Sequence, residues 1–320
     1  MKTDGSAAEQ RQTLAAQNLA PLVPLLREIG NLKRIRAANL QTSFAAELFA
    51  RAWRQIINGA NVRRVGLEIT RDAVIGANLG AINAAVLQSA NLQTDEIATI
   101  LRRAFDAQSA PVIPTLREEL RNLIAEENAE TESETPQFAQ LLAVQPRSGA
   151  TKVGAPKMIF DAPENHAGHS IIVGVYGCLF APVFGADVET VFTAALAHHF
   201  HNAYLPDSGF AGEESLGEFL PRIFNAFRRR CLAQVPENLH DSIWNALAAI
   251  ETADTPEAQA FHAADVFDRV LQMRHHAEAN EFTLKYAMEE AELVHAGAIQ
   301  EFHYEVLRAA NLIEQTDAKK

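Results

Sequence analysis

Residues 194–210 read AALAHHFHNAYLPDSGF, an apolar segment that takes up three histidines within four positions, His198, His199 and His201, and then runs into a turn at LPDSG. A helix tolerates polar residues on a solvated face, but imidazole is also the commonest transition-metal ligand and the side chain that titrates near neutrality. Adjacent residues such as His198 and His199 point about 100° apart on a helix. His198 and His201 share a face only if their segment is helical throughout, and so do His166 and His169 in NHAGHS.

Outward from this stretch, all 11 histidines fall between His166 and His303, whereas residues 1–127 contain neither histidine nor cysteine. Helical periodicity runs through both parts. In the first, TSFAAELFARAWRQIING places Phe44, Leu48, Phe49, Trp53, Ile56 and Ile57 on one face, with Thr42 or Ser43 to cap it and Gly59 to stop it. APLVPLLREIGNLKRI, RDAVIGANLGAINAAVLQSA, TDEIATILRRAF and TLREELRNLIAEE repeat the pattern, and strand-like alternation is confined to fragments such as RVGLEIT. In the second, DVETVFTAALAHHF, SLGEFLPRIFNAFRRRCLA, LHDSIWNALAAIE, EAQAFHAADVFDRVLQMRHHAE and FTLKYAMEEAELVHAGAIQEFHYEVLRAANLI are helical. SIIVGVYGCLFAPVFGA, residues 170–186, is shorter than the roughly 20 residues a bilayer requires and carries three glycines and a proline, which makes it a buried core helix.

The expected fold class is all-α. NAETESETP, residues 128–136, is polar, acidic and without apolar periodicity, and QPRSGATKVGAP, residues 145–156, is irregular. Three parts are therefore expected: a smaller helical N-terminal domain over residues 1–127 with a scaffold, dimerisation or lid role, a linker zone over 128–156, and a helical domain over 157–320 that holds the histidines.

With 40 acidic against 28 basic residues the net charge is −12, which repels a phosphate backbone and argues against nucleic acid as a partner. The start MKTDGSAAEQ lacks the layout of a secretory signal, and only Cys178 and Cys231 could form a disulfide. A cytoplasmic protein with no membrane contact and a possible homodimeric state is expected. There is no P-loop pattern, G-x-S-x-G, H-E-x-x-H or C-x-x-C, and GANLGA at 76–81 lies in a helical pattern without a preceding strand.

NHAGHS, then LAHHFHN, then HAADVFDR place a histidine, a histidine pair and an aspartate on three successive segments. This layout resembles the HD superfamily of metal-dependent phosphohydrolases, helical enzymes with a histidine on one helix, His-Asp on a second and a lone aspartate on a later one. His169 matches the first histidine. ALAHHFHNA superposes on the family's second element without a gap, so His198 takes the place of its histidine and His199 that of its aspartate. Asp265 fits the final aspartate. The resemblance covers roughly residues 157–311 and is nearest to the 5′-deoxynucleotidase-like subgroup. That subgroup has a glutamate four residues after the motif histidine, where this chain has Asn202, and an aspartate nine after, where it has Asp207.

The resemblance implies an HD-type helical bundle with His169, His198, His199 and Asp265 as metal ligands. A bridging carboxylate is replaced by an imidazole with one lone pair, so one divalent transition metal per chain is implied, Zn, Mn, Fe or Co. Asp207 would orient water or a substrate hydroxyl, with Glu213 or Glu214 assisting, and His201 would contact the leaving group. The implied reaction is hydrolysis of a small phosphate ester or nucleotide, and so a small anionic substrate is implied. The competing functions are a non-catalytic signalling or ligand-binding module on the same fold and an HD-type iron oxygenase.

His201, His275, His276, His295 and His303 fall at exposed-looking helix positions. His262, three before Asp265, reads either as a partner of the metal ligands or as a core histidine satisfied by a carbonyl. His240 is either a cap neighbour or a further ligand, Arg228, Arg229 and Arg230 a solvated face or a phosphate clamp, and Cys231 buried packing.

Overall fold

The computed structural model describes residues 19–38, 40–125, 134–149, 153–154, 159–160, 163–279, 283–290 and 292–313. Part of the expected linker zone, residues 128–133, 150–152 and 155–156, lies outside the described residues. Among the described residues there are fourteen α-helices, short 3-10 turns, and no strand beyond an isolated antiparallel bridge between Pro146 and Asn165. The chain is all-α.

The first six helices are α1 (Val23–Asn31), α2 (Phe44–Ile57), α3 (Val62–Leu79), α4 (Ala84–Ser89), α5 (Thr94–Gln108) and α6 (Pro114–Asn122). Short polar residues start several of them. Ser43 accepts a hydrogen bond from the Ala46 amide, Asn61 from Arg64 and Asn83 from Val86, each satisfying a donor the helix leaves free. RVGLEIT is helical, in α3. Its apolar alternation arises because Val65, Gly66, Leu67 and Ile69 are all buried, the helix packing against α1, α2, α5 and later helices on several sides. The expected helix over 71–90 is two, because Gly80 at φ +60° closes α3 and Asn83 opens α4.

The later helices are α7 (Gln137–Val144), α8 (His166–Phe184), α9 (Val188–Ala197), α10 (Gly209–Leu216), α11 (Leu220–Leu232), α12 (His240–Ala249), α13 (Pro256–Glu278) and α14 (Gln300–Ala309). The continuous helix expected over 282–313 is instead a π turn at Tyr286–Glu290, an irregular run and α14. Tertiary bonding wins over periodicity there: the Leu293 amide bonds back to Ala287 O at 3.0 Å and its carbonyl is taken by Arg269.

The hub is α8. It is long and apolar enough to cross a bilayer, yet 83% of that window is buried inside the fold, packed against α2, α3, α7, α9 and α13. Gly174 and Gly177 let α9 approach closely: a Cβ at 177 would lie 2.5 Å from Val191 Cγ1, and one at 174 would lie 3.0 Å from the Phe192 ring. This contact fixes the end of α9, where His198 and His199 follow. The buried apolar residues form one cluster running from Leu19 to Leu312, so helices on both sides of the expected linker share a core.

Candidate metal centre

The helix α9 stops at Ala197. His198 is its C-cap, His199 has left helical geometry, and residues 200–203 tighten into a 3-10 turn. Phe200 anchors this turn, its ring lying 5.2 Å from that of Trp53 on α2 and 4.9 Å from that of Phe138 on α7. The Cys231 thiol donates to the Phe200 carbonyl, as buried packing. The helix break aims His198 and His199 at the same place and turns His201 away. On the facing element, Asn165 caps α8 by accepting from the Gly168 amide at 2.7 Å, which puts His166 and His169 in the first turn on one face.

His169, His198 and His199 each bring a ring nitrogen within 4.8 Å of the other two. His198 Nδ1 donates to the Ala195 carbonyl at 2.7 Å, and His199 Nδ1 donates to Asn202 Oδ1 at 2.9 Å. Asn202 is held in that orientation because its amide nitrogen donates to the Leu205 carbonyl. His169 Nδ1 donates to Asp268 Oδ2 at 2.7 Å. Each Nδ1 is thus taken by an oxygen acceptor, which leaves each Nε2 as the ring nitrogen facing the cluster. His198 Nε2 faces His169 Nε2 at 3.3 Å, and Asp265 Oδ1 lies 3.2 Å from His169 Nε2. Two ring nitrogens and a carboxylate oxygen thus converge on one point. Ligand atoms around a tetrahedral ion with bonds of about 2.0–2.1 Å sit about 3.3–3.4 Å apart, so the spacing fits a metal.

Burial, and after it the charge of neighbouring histidines, holds His198 and His199 well below the usual imidazole range. Burial acts in the opposite sense on Asp265 and is outweighed by Arg269 and the contact with His169, which keep it well below the usual carboxylate range. These groups are therefore in the protonation states that ligation requires.

A cavity of about 400 Å³ opens in front of the cluster. His198, His199 and Asp265 line it, as do Arg147, Asp207 and Arg269. Arg147 is placed by backbone pairing, its amide bonding to Glu164 O at 2.8 Å beside the Pro146–Asn165 bridge. Asp207 accepts from the Ser148 and Gly209 amides and lies 3.4 Å from His166 Nε2, and it is held below the ordinary carboxylate range by those contacts against burial. Glu213 lines the cavity and is pushed up by burial and by Asp207, whereas Glu214 is exposed and does not line it.

Several expectations are corrected. His201, His276 and His303 are buried, at 6%, 4% and 5% exposure, because Phe224 of α11 covers the first, the Phe160 ring stacks on the second and His262 of α13 lies against the third. His201 stacks on Phe224 with centroids 3.8 Å apart and does not line the cavity, so the leaving-group contact foreseen for it does not fit its place. His262 is a core histidine, its Nε2 directed at the Ile250 and Thr252 carbonyls. His240 Nε2 bonds to Val235 O. Arg230 lies over the Tyr204 ring and Arg228 over that of Phe224, away from the cavity.

Asp268, Glu164, Arg147, Arg269 and Lys33 join the site without being marked by the sequence pattern. Asp268 alone has a local signal, since a carboxylate three residues after Asp265 lies on the same helix face. The others depend on long-range packing.

No curated protein and no solved structure matches the chain. The family model for the HD domain matches residues 140–306, more than half of the sequence, and spans every helix that carries the cluster. An all-helical bundle with a histidine opening one helix, a histidine pair closing the next and an aspartate on a third is what that match covers, and the chain belongs to the HD domain family.

Proposed function

We propose that the protein is a metal-dependent hydrolase of a small phosphate ester. One observation carries the reading: the Nε2 atoms of His169 and His198 and a carboxylate oxygen of Asp265 converge at the head of a cavity, with each ring's Nδ1 held by an oxygen acceptor. His199, its Nδ1 held by Asn202, completes the donor set. Imidazoles with a carboxylate suit Zn, Mn, Fe or Co. Such an ion, when bound, supplies Lewis acidity to a phosphoryl oxygen and lowers the pKa of water.

The chain's own residues account for the rest. Arg147 and Arg269 present guanidinium groups to the cavity and would hold the anionic end of the ester, the planar fork matching phosphate oxygens. Asp207, ionised and pinned by two amides, would accept a proton from water or a substrate hydroxyl and orient it. Glu213, the carboxyl that its surroundings push up, is suited to hand a proton to the leaving oxygen, the part first expected of His201. Phe261, Met273 and Leu293 form an apolar wall for the organic portion.

The test is elemental metal content of untagged protein purified without added metal, alongside hydrolysis of p-nitrophenyl phosphate and a panel of nucleoside monophosphates. About one ion per chain, lost together with turnover in His198→Ala and Asp265→Ala, is the expected result. Metal-free wild type that takes up none of the four ions would overturn it and leave a polar network in which a doubly protonated His169 bridges Asp265 and Asp268, as in a binding module.

A further inference from the structure

We propose that Lys33, in the turn after α1, is a positioning residue that holds the two sides of the cavity in register: His169 through Asp268, and Arg147 through Glu164. The inference rests on reading His169 as a ligand and Arg147 as an anion-binding group.

Lys33 is 8% exposed, and its ammonium lies between two carboxylates from different elements. It contacts Asp268 Oδ1 on α13 at 2.7 Å and makes an ion pair with Glu164 Oε1, just ahead of α8. Each carboxylate turns its second oxygen to a site residue, Asp268 Oδ2 to His169 Nδ1 at 2.7 Å and Glu164 Oε2 to Arg147 Nη1 at 2.9 Å. The ammonium occupies one oxygen of each, so each is left with one direction for the other. The stem of Lys33 reaches this place along the first turn of α8, where Gly168 leaves room: a Cβ there would stand 3.5 Å from Lys33 Cγ and 3.2 Å from Asn165 Oδ1. A carboxylate that orients a ligating imidazole through its far nitrogen is worth roughly 10- to 100-fold in metal affinity. Lys33 stands one bond further out and fixes that carboxylate.

The test uses the full chain. Lys33→Met keeps the length and removes the charge. Lys33→Met/Glu164→Gln also removes one of the two carboxylates left facing each other, for the case in which the single variant does not fold. Cobalt(II) binding is followed by visible absorption, and the imidazole ¹⁵N shifts of His169 are recorded in metal-free protein. We expect cobalt to bind about 10- to 100-fold more weakly in both variants, the His169 Nδ1 signal to move from its wild-type position, and Lys33→Arg to recover part of both. Lys285→Met, at a side chain that is 78% exposed, should change neither. Unaltered cobalt affinity together with unaltered His169 shifts in either folded variant would overturn the proposal. If wild type binds no cobalt, the metal reading fails, while the His169 shifts still decide the part of Lys33.

Discussion

Substituting His201 by phenylalanine separates two roles that its place in the sequence confounds. The ring stack on Phe224 survives the change, and the buried Nδ1, which has no hydrogen-bond partner among the described residues, disappears. Turnover should persist, since His201 does not line the cavity. Burial, with Arg228 and His166 adding to it, pushes His201 down to about 3 from 6.5. Below pH 6.5 the unfolded chain binds a proton that the folded form refuses, so the stability tied to this group is whole above about 6.5 and is lost as pH falls toward about 3. His201→Phe should therefore move the acid-unfolding midpoint to lower pH in a circular-dichroism titration, and an unchanged midpoint with lost turnover would restore a catalytic part. At this scale His169, His198, His199 and Asp265 were legible because their order along the chain is local information, and the structure brings them together. Lys33 was not, because 235 positions separate it from Asp268 and APLVPLLREIGNLKRI reads only as one more periodic helix.

The meeting of α8 and α9 is where an element rather than a residue sets the site. Gly177→Ala would drive a methyl into Val191 and displace α9, and with it the turn that carries His198 and His199. Overpacking of this kind costs about 1–3 kcal/mol. Thermal denaturation should show that loss, and adding Val191→Ala should recover part of it, giving less destabilisation than the two single changes summed. Additive effects would mean that the helices do not press on one another there. Helices were readable where one apolar face and a polar cap coincide, as in α2 with Ser43. Periodicity misled where a helix is buried on several sides, as at Val65 to Ile69, and where a side chain from elsewhere captured a backbone carbonyl, as Arg269 does at Leu293.

For the whole molecule, the single apolar cluster matters more than the acidic stretch that divides the sequence. Trp53 packs on Phe138 and Phe200, and α2 and α3 lie against α8. A chain beginning at residue 134 would expose those faces and remove Lys33. It should lack a cooperative thermal transition and the near-ultraviolet dichroism of a packed core. A truncated chain that melts cooperatively would mark the first 127 residues as a separable unit. A division at 128–156 follows from composition, whereas shared burial follows from three-dimensional packing that no local window contains. The ring trio has a practical consequence as well. Trp53 is 1% exposed and stands against Phe200, the residue next to His199, and the chain's other tryptophan is Trp244. In a Trp244→Phe background the indole becomes a built-in optical gauge, whose emission reports the posture of the histidine-bearing turn without any added label.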